Sequence, residues 1–176
     1  FAVPFSFRVL TGFPPRYFFR FDPKADLSEG NAIDNQTIDL AAEFGAEVRT
    51  LESNGIELRI VESGEGPLVI LVHGWPESWY SWRHQLPALA QAGYRVVAPD
   101  MRGYGGSTLP FATEDYNIKE LAADVAGIIT ALDEESAVIV GHDWGAPIVW
   151  HTALLYPEKI DAVVGLSVLY GGRSEN

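Results

Sequence analysis

Asp143 lies in Gly141-His142-Asp143-Trp144-Gly145, between the apolar run Ala137-Val138-Ile139-Val140 and the small-residue start Gly145-Ala146-Pro147. A strand, a sharp turn and a helix in that order lift one side chain clear of the backbone, where it can act as a nucleophile. Serine with a base is the usual nucleophile for acyl transfer. A carboxylate is suited instead to displacement at a saturated carbon, giving an alkyl ester that water can cleave. The expected substrate therefore carries an electrophilic sp3 carbon, as an epoxide or a haloalkane does.

The neighbours of Asp143 fit this chemistry. Gly141 and Gly145 keep Cβ atoms out of a crowded turn, and the unsatisfied amides at the start of the following helix favour an ionised Asp143. A second loop, His73-Gly74-Trp75-Pro76, follows directly on the apolar run Leu68-Val69-Ile70-Leu71-Val72. Together with the residue after the nucleophile, Trp144, this loop is placed to offer two backbone N–H donors to an oxyanion, and removing one such donor typically slows catalysis about 10²–10³-fold. The oxyanion would form on the Asp143 side chain when water attacks the ester. Trp75, Pro76 and Trp144 are expected to meet the substrate.

No histidine among the four reads as a base. His142 precedes the nucleophile, should face the opposite way, and is expected to be a packing residue. His73 is expected to shape the oxyanion loop through hydrogen bonds, while His84 and His151 fall in helical segments. Asp100 and Arg102 read as a structural turn, and Glu120, Asp124 and Asp133-Glu134-Glu135 as solvated charge. Gly103-Tyr104-Gly105-Gly106-Ser107 matches neither a dinucleotide fingerprint nor a P-loop. Trp75, Trp79, Trp82, Trp144 and Trp150 are candidates for lining an apolar pocket, with core packing an equal reading for Trp82 and Trp150.

The elements that position these residues alternate between strand and helix patterns from Val48 onward, which predicts an α/β fold with a mostly parallel sheet. Val48–Glu52 and Ile56–Ile60 flank Asn54-Gly55, a strong hairpin signal, so the sheet should open with an antiparallel pair. Leu68–Val72 reads as a central strand apolar on both faces, and 94–98, 137–140 and 162–166 as further inner strands. A helix is predicted over 117–133, with apolar residues Ile118, Leu121, Ala122, Val125, Ile128, Ile129 and Leu132 on one stripe. Asn117 is its N-cap, with Glu120 placed to reach back. Another helix should run from just after Asp143 to Tyr156, where Pro157 stops it. A weaker one is predicted between Trp79 and Ala92, with Pro87 limiting or bending it.

Composition narrows the partners. Twelve basic against twenty-four acidic residues in a chain of 176 give a net charge of −12, which opposes nucleic acid and anionic membrane surfaces and points to a small neutral substrate. There is no cysteine, the histidines are scattered, and no metal or organic cofactor is expected. No run of eighteen apolar residues is present, so no membrane span is expected, and a cytoplasmic setting is. The aromatic stretch Phe1 to Phe21 lacks the uninterrupted apolar core of a signal peptide and is expected to pack on the core. The sequon Asn35-Gln36-Thr37 reads as chance.

Four motifs in order give a specific resemblance: His73-Gly74-Trp75-Pro76, Trp79-Tyr80-Ser81-Trp82-Arg83, the run from Ala98 to Ser107, and Gly141-His142-Asp143-Trp144-Gly145. From about Val48 to Val168 the chain resembles the epoxide hydrolases of the α/β-hydrolase superfamily. The resemblance implies that Asp143 opens an epoxide to a vicinal diol, that Trp75 and Trp144 form the oxyanion hole, and that the Trp75-Pro76 peptide is cis. It also implies a general base and a lid tyrosine pair, neither of which is found before Asn176. Haloalkane dehalogenases share the Asp nucleophile and the following tryptophan but usually carry asparagine where Trp75 stands, which makes them the alternative. A non-catalytic half-domain is the other alternative. The organisation expected is an extension over 1–47, the N-terminal part of the catalytic domain over 48–167, and the start of a connection to a lid over 168–176. Expected partners are a small apolar epoxide, water and the remainder of the domain, with a homodimer left open.

Overall fold

A computed structural model describes residues 35–171, all within one compact unit spanning residues 31–176. The proposed packing of Phe1 to Phe21 lies outside the described residues. The elements are α1 (Asn35–Glu43), β1 (Glu47–Ser53), β2 (Ile56–Ser63), β3 (Leu68–Val72), α2 (Gln85–Gln91), β4 (Arg95–Pro99), α3 (Ile118–Ala131), β5 (Ala137–His142), α4 (Gly145–Leu155) and β6 (Ile160–Leu166). They build a six-stranded sheet in the order β1-β2-β4-β3-β5-β6. β1 and β2 pair antiparallel, β2 meets β4 antiparallel, and β4, β3, β5 and β6 run parallel to their neighbours.

The sequence accounts for this order. Asn54 and Gly55 both take positive φ, 49° and 76°, the conformation that a two-residue hairpin turn with right-handed twist requires. Every residue of β3 is buried, because its apolar side chains meet a core on each face. One core includes Leu58, Ile70, Val97, Val125, Ile129 and Ile139. The other includes Val61, Val69, Leu71, Trp79, Trp82 and Leu86.

Several expectations need correction. The segment between Trp79 and Ala92 is two elements, a 3₁₀ turn over Trp79–Trp82 and α2. Pro87 falls in the first turn of α2, where a missing N–H costs nothing, so it neither bends nor limits a longer helix. Asn117 caps α3 by accepting from the N–H groups of Lys119 and Glu120, worth about 1 kcal/mol. The Glu120 carboxylate does not complete a capping box, however, and instead accepts from Asn54 Nδ2 at 2.9 Å. The 162–166 strand is the end strand of the described sheet rather than an inner one, and its residues are half-buried or exposed. In the sequon, Thr37 is buried in α1 and accepts from Arg59 Nη1 at 3.1 Å.

The reading of the acidic residues as solvated charge fails at two positions. Asp124 is wholly buried and accepts from Arg102 Nε at 2.6 Å, Arg102 Nη2 at 2.5 Å and Asn54 Nδ2 at 3.1 Å. Burial pushes the Asp124 carboxyl up against the pull of Arg102, while the same bonds hold Arg102 more firmly protonated. With three donors converging on one carboxylate, we take the pair as charged at neutral pH. Glu134 pairs with Arg95 at 2.9 Å.

Candidate active site

β5 ends at His142 and α4 begins at Gly145, so the chain reverses over two residues, and Asp143 takes φ 52° to do it. Aspartate tolerates this left-handed conformation better than most residues. The turn is held from both sides: the Asp143 N–H donates to Leu166 O on β6 at 3.2 Å, and its carbonyl accepts from Ala146 N–H at 3.1 Å. A Cβ on Gly141 would fall 2.2 Å from Gly145 O, and one on Gly145 would fall 2.2 Å from Val72 O. Side chains at either position would push α4 off the sheet.

The loop after β3 closes over this turn. Gly74 approaches so near that a Cβ there would lie 2.6 Å from the Asp143 Cβ. That approach brings the Trp75 N–H to 3.0 Å from Asp143 Oδ1. The carboxyl is held below the ordinary carboxylate range, first by the Trp75 N–H and then by the Trp144 N–H, against the smaller opposing effect of burial. Both expected donors therefore face one half-buried, ionised carboxylate, and the Trp75-Pro76 peptide is cis.

His73 fixes the loop from beneath. Its ring is buried, with Nδ1 2.8 Å from Gly74 O and Nε2 accepting from Met101 N–H at 3.0 Å. Since Nε2 accepts, the proton sits on Nδ1 and the ring is neutral. Burial lowers its pKa accordingly. Glu77 steadies the other side, with Oε2 accepting from Gly74 N–H at 3.1 Å.

His142 departs from expectation. It is not a packing residue, since its side chain is about 38% exposed and Nδ1 lies 3.5 Å from Glu77 Oε1. Among the described residues none of the four histidines hydrogen-bonds Asp143. His84 precedes α2 without a side-chain capping hydrogen bond and stands edge-on to Phe44, and His151 Nδ1 contacts Pro147 O within α4. Nor do any three His, Asp or Glu side chains among them converge as a metal site would require.

A cleft of about 230 Å³ opens beside Asp143, lined by residues that include Trp75, Met101, Tyr104, Tyr116, Leu121, Trp144 and Ile148. Trp75 and Trp144 are 64% and 61% exposed, whereas Trp79 and Trp82 are buried in the core. Trp150 packs against Tyr170 away from the lining. Of the five tryptophans, only Trp75 and Trp144, the two expected to carry oxyanion donors, line the cleft.

Sequence reasoning missed three contributors. Tyr104 sits edge-on to His73 with ring centroids 4.9 Å apart, and Tyr116 lines the same cleft. Arg59 is buried on β2, where Nε donates to Asp100 Oδ2 at 2.7 Å. Asp100 also accepts the Trp79 N–H at 2.9 Å, so the expected structural turn ties β2 to the segment after the oxyanion loop. A charged residue inside the otherwise apolar stretch Leu58–Val61 was the available signal for Arg59.

The chain is similar to known proteins over most of its length. The family profile described as the alpha/beta hydrolase fold matches residues 67–172. The chain is 56% identical over 122 residues to Epoxide hydrolase A of Mycobacterium tuberculosis, covering 68% of this chain and 38% of that one. It is 51% identical over 113 residues to Bifunctional epoxide hydrolase 2 of Sus scrofa, covering 64% of this chain and 20% of the relative. The crystal structure of Epoxide Hydrolase A from Mycobacterium thermoresistibile superposes with a TM-score of 0.72 at 54% identity, covering 74% of this chain and 42% of that one. The chain thus spans well under half the length of these relatives.

Proposed function

We propose, for a chain that belongs to the alpha/beta hydrolase fold family, that it carries the nucleophile and oxyanion hole of an epoxide hydrolase. The observation that carries this reading is the Trp75 N–H on Asp143 Oδ1 at 3.0 Å, at an elbow that holds the carboxylate ionised. The high identity to named epoxide hydrolases supports the choice of substrate class.

The geometry divides the labour between the two carboxylate oxygens. Oδ1 is engaged by backbone amide, leaving Oδ2 to attack an epoxide carbon. As that bond forms, the carbon–oxygen bond of the ring breaks and its electron pair passes to the ring oxygen, which then takes a proton from an acid. The product is an ester whose carbonyl oxygen is Oδ1. Water attacks that carbonyl carbon, the negative charge collects on Oδ1, and the Trp75 and Trp144 amides are already aimed there, so little reorganisation is needed. Collapse releases the diol and restores the carboxylate. The acid and the base that activates water are assigned to segments outside the described residues, as the family resemblance implies.

The test is intact-mass analysis of the purified chain after incubation with styrene oxide, followed by peptide mapping. A single adduct on Asp143 that persists on these 176 residues, and is absent from Asp143→Asn, is expected. No adduct, or the same adduct on Asp143→Asn, overturns the reading. Faster halide release from a haloalkane than adduct formation from an epoxide would transfer it to the dehalogenases.

A further inference from the structure

Two residues that carry side chains take positive φ at the two ends of one hydrogen bond. Asp143, at φ 52°, donates its N–H to Leu166 O at 3.2 Å, and Ser167, at φ 70°, follows that carbonyl directly. Such conformations persist only where the surroundings over-determine them. Trp150 supplies that hold. Its indole lies so close to Gly165 that a Cβ there would fall 2.5 Å from Trp150 Cζ2. Gly165 is in register with Gly141, and Leu166 with His142, so the indole sits on β6 beside the start of the elbow. Past Ser167, Trp150 Nε1 donates to Val168 O at 3.3 Å, and its ring meets Tyr170 with centroids 5.7 Å apart. Leu166 O is therefore bracketed by contacts of one side chain, at Gly165 and at Val168. Trp150 itself belongs to α4, the helix that begins at the elbow, so helix, strand end and nucleophile close into a single frame.

We propose that Trp150 is a positioning residue for the nucleophile: by fixing the end of β6 it holds Leu166 O against the Asp143 amide and thereby sets the direction of the Asp143 carboxylate. The inference rests on Asp143 being the attacking group. The site leaves that carboxylate little latitude, because the Trp75 N–H meets Oδ1 at 3.0 Å and Gly74 crowds the Asp143 Cβ. A turn freed on its β6 side spends less time with Oδ1 on its amide and Oδ2 aimed at a ring carbon. A displacement of about 1 Å slows a reaction by up to about 10²-fold, and a partial loosening by less. Trp150 does not line the cleft, so it acts on the reacting step and leaves binding unaltered.

The experiment follows formation of the Asp143 adduct by intact mass over a range of styrene oxide concentrations. It compares the chain with Trp150→Phe, which keeps a ring over Gly165 and loses the N–H donor, and with Trp150→Leu, which loses both. The limiting rate should fall about fivefold in Trp150→Phe, the worth of one neutral hydrogen bond, and further in Trp150→Leu, with the half-saturating concentration unchanged. The Asp143 amide, read by NMR, should exchange its hydrogen faster in both. Trp82→Phe is the control, because Trp82 lies in the core on the opposite face of the sheet from α4, and it should leave the limiting rate unchanged. An unaltered limiting rate or unaltered amide exchange in Trp150→Phe, a change confined to the half-saturating concentration, or equal slowing in Trp82→Phe overturns the role of Trp150. If Trp150→Leu does not fold, Trp150→Phe decides. Absence of the adduct from the unsubstituted chain would instead sink the reading on which the inference rests.

Discussion

Replacing Asp124 by asparagine tests whether the cleft wall depends on a buried ion pair. The carboxylate is wholly inaccessible and Arg102 is 3% exposed. Asparagine keeps one oxygen to accept from Arg102, but its amide nitrogen then confronts other donors, Arg102 and Asn54, and the guanidinium loses its counter-charge. Breaking a buried pair on one side costs about 3–5 kcal/mol, and the retained oxygen places this variant near the lower figure, about 3 kcal/mol. For a chain of this size that lowers Tm by about 6–12 °C, readable by urea or thermal unfolding followed by tryptophan fluorescence. Arg102→Met with Asp124→Leu removes both charges at once and should cost less than Asp124→Asn alone, because no uncompensated ion remains. A loss below about 1 kcal/mol in Asp124→Asn would refute the assignment. So would a double variant whose cost equals the sum of the two singles.

Two further outcomes depend on pH. Asp143 is held below its ordinary value of 3.8, so the rate of its alkylation by styrene oxide, measured on folded protein, should fall at acid pH with a midpoint below that value; a midpoint above 3.8 would contradict the hydrogen bonds assigned to it. His73 is buried neutral with its pKa lowered from 6.5. The unfolded chain therefore binds a proton that the folded one does not, and stability should be full above pH 6.5 and fall below it by at most about 1.4 kcal/mol per unit. Denaturation curves at pH 7 and pH 5 measure this, and His73→Gln should flatten the slope.

The parts of the fold that could be read in advance are those fixed by local chemistry. Asn54-Gly55 can only be accommodated well in a turn of positive φ, Asn117 has an oxygen at the reach of two free amides, and Gly141 and Gly145 bracket the elbow. The relations that escaped are those in which distant segments neutralise one another. Asp124 is three residues after Leu121 and four before Ile128, on the flank of the apolar stripe, yet nothing local announces that Arg102 will meet it there. Arg59 is likewise buried where Asp100, the residue after β4, meets its guanidinium. His142 was expected to pack, but the strand end where it sits opens towards Glu77, which belongs to the opposing loop.

The backbone tether between Asp143 and Leu166 gives the outermost strand of the described sheet an influence on the nucleophile. β6 is held to β5 along its length, and its Ile160 and Val163 pack on the core, so separating the two strands would expose that packing. That same opening releases the Asp143 amide and one side of the elbow. Whatever clamps or loosens this margin would act as a tuning screw on how steadily the carboxylate is presented.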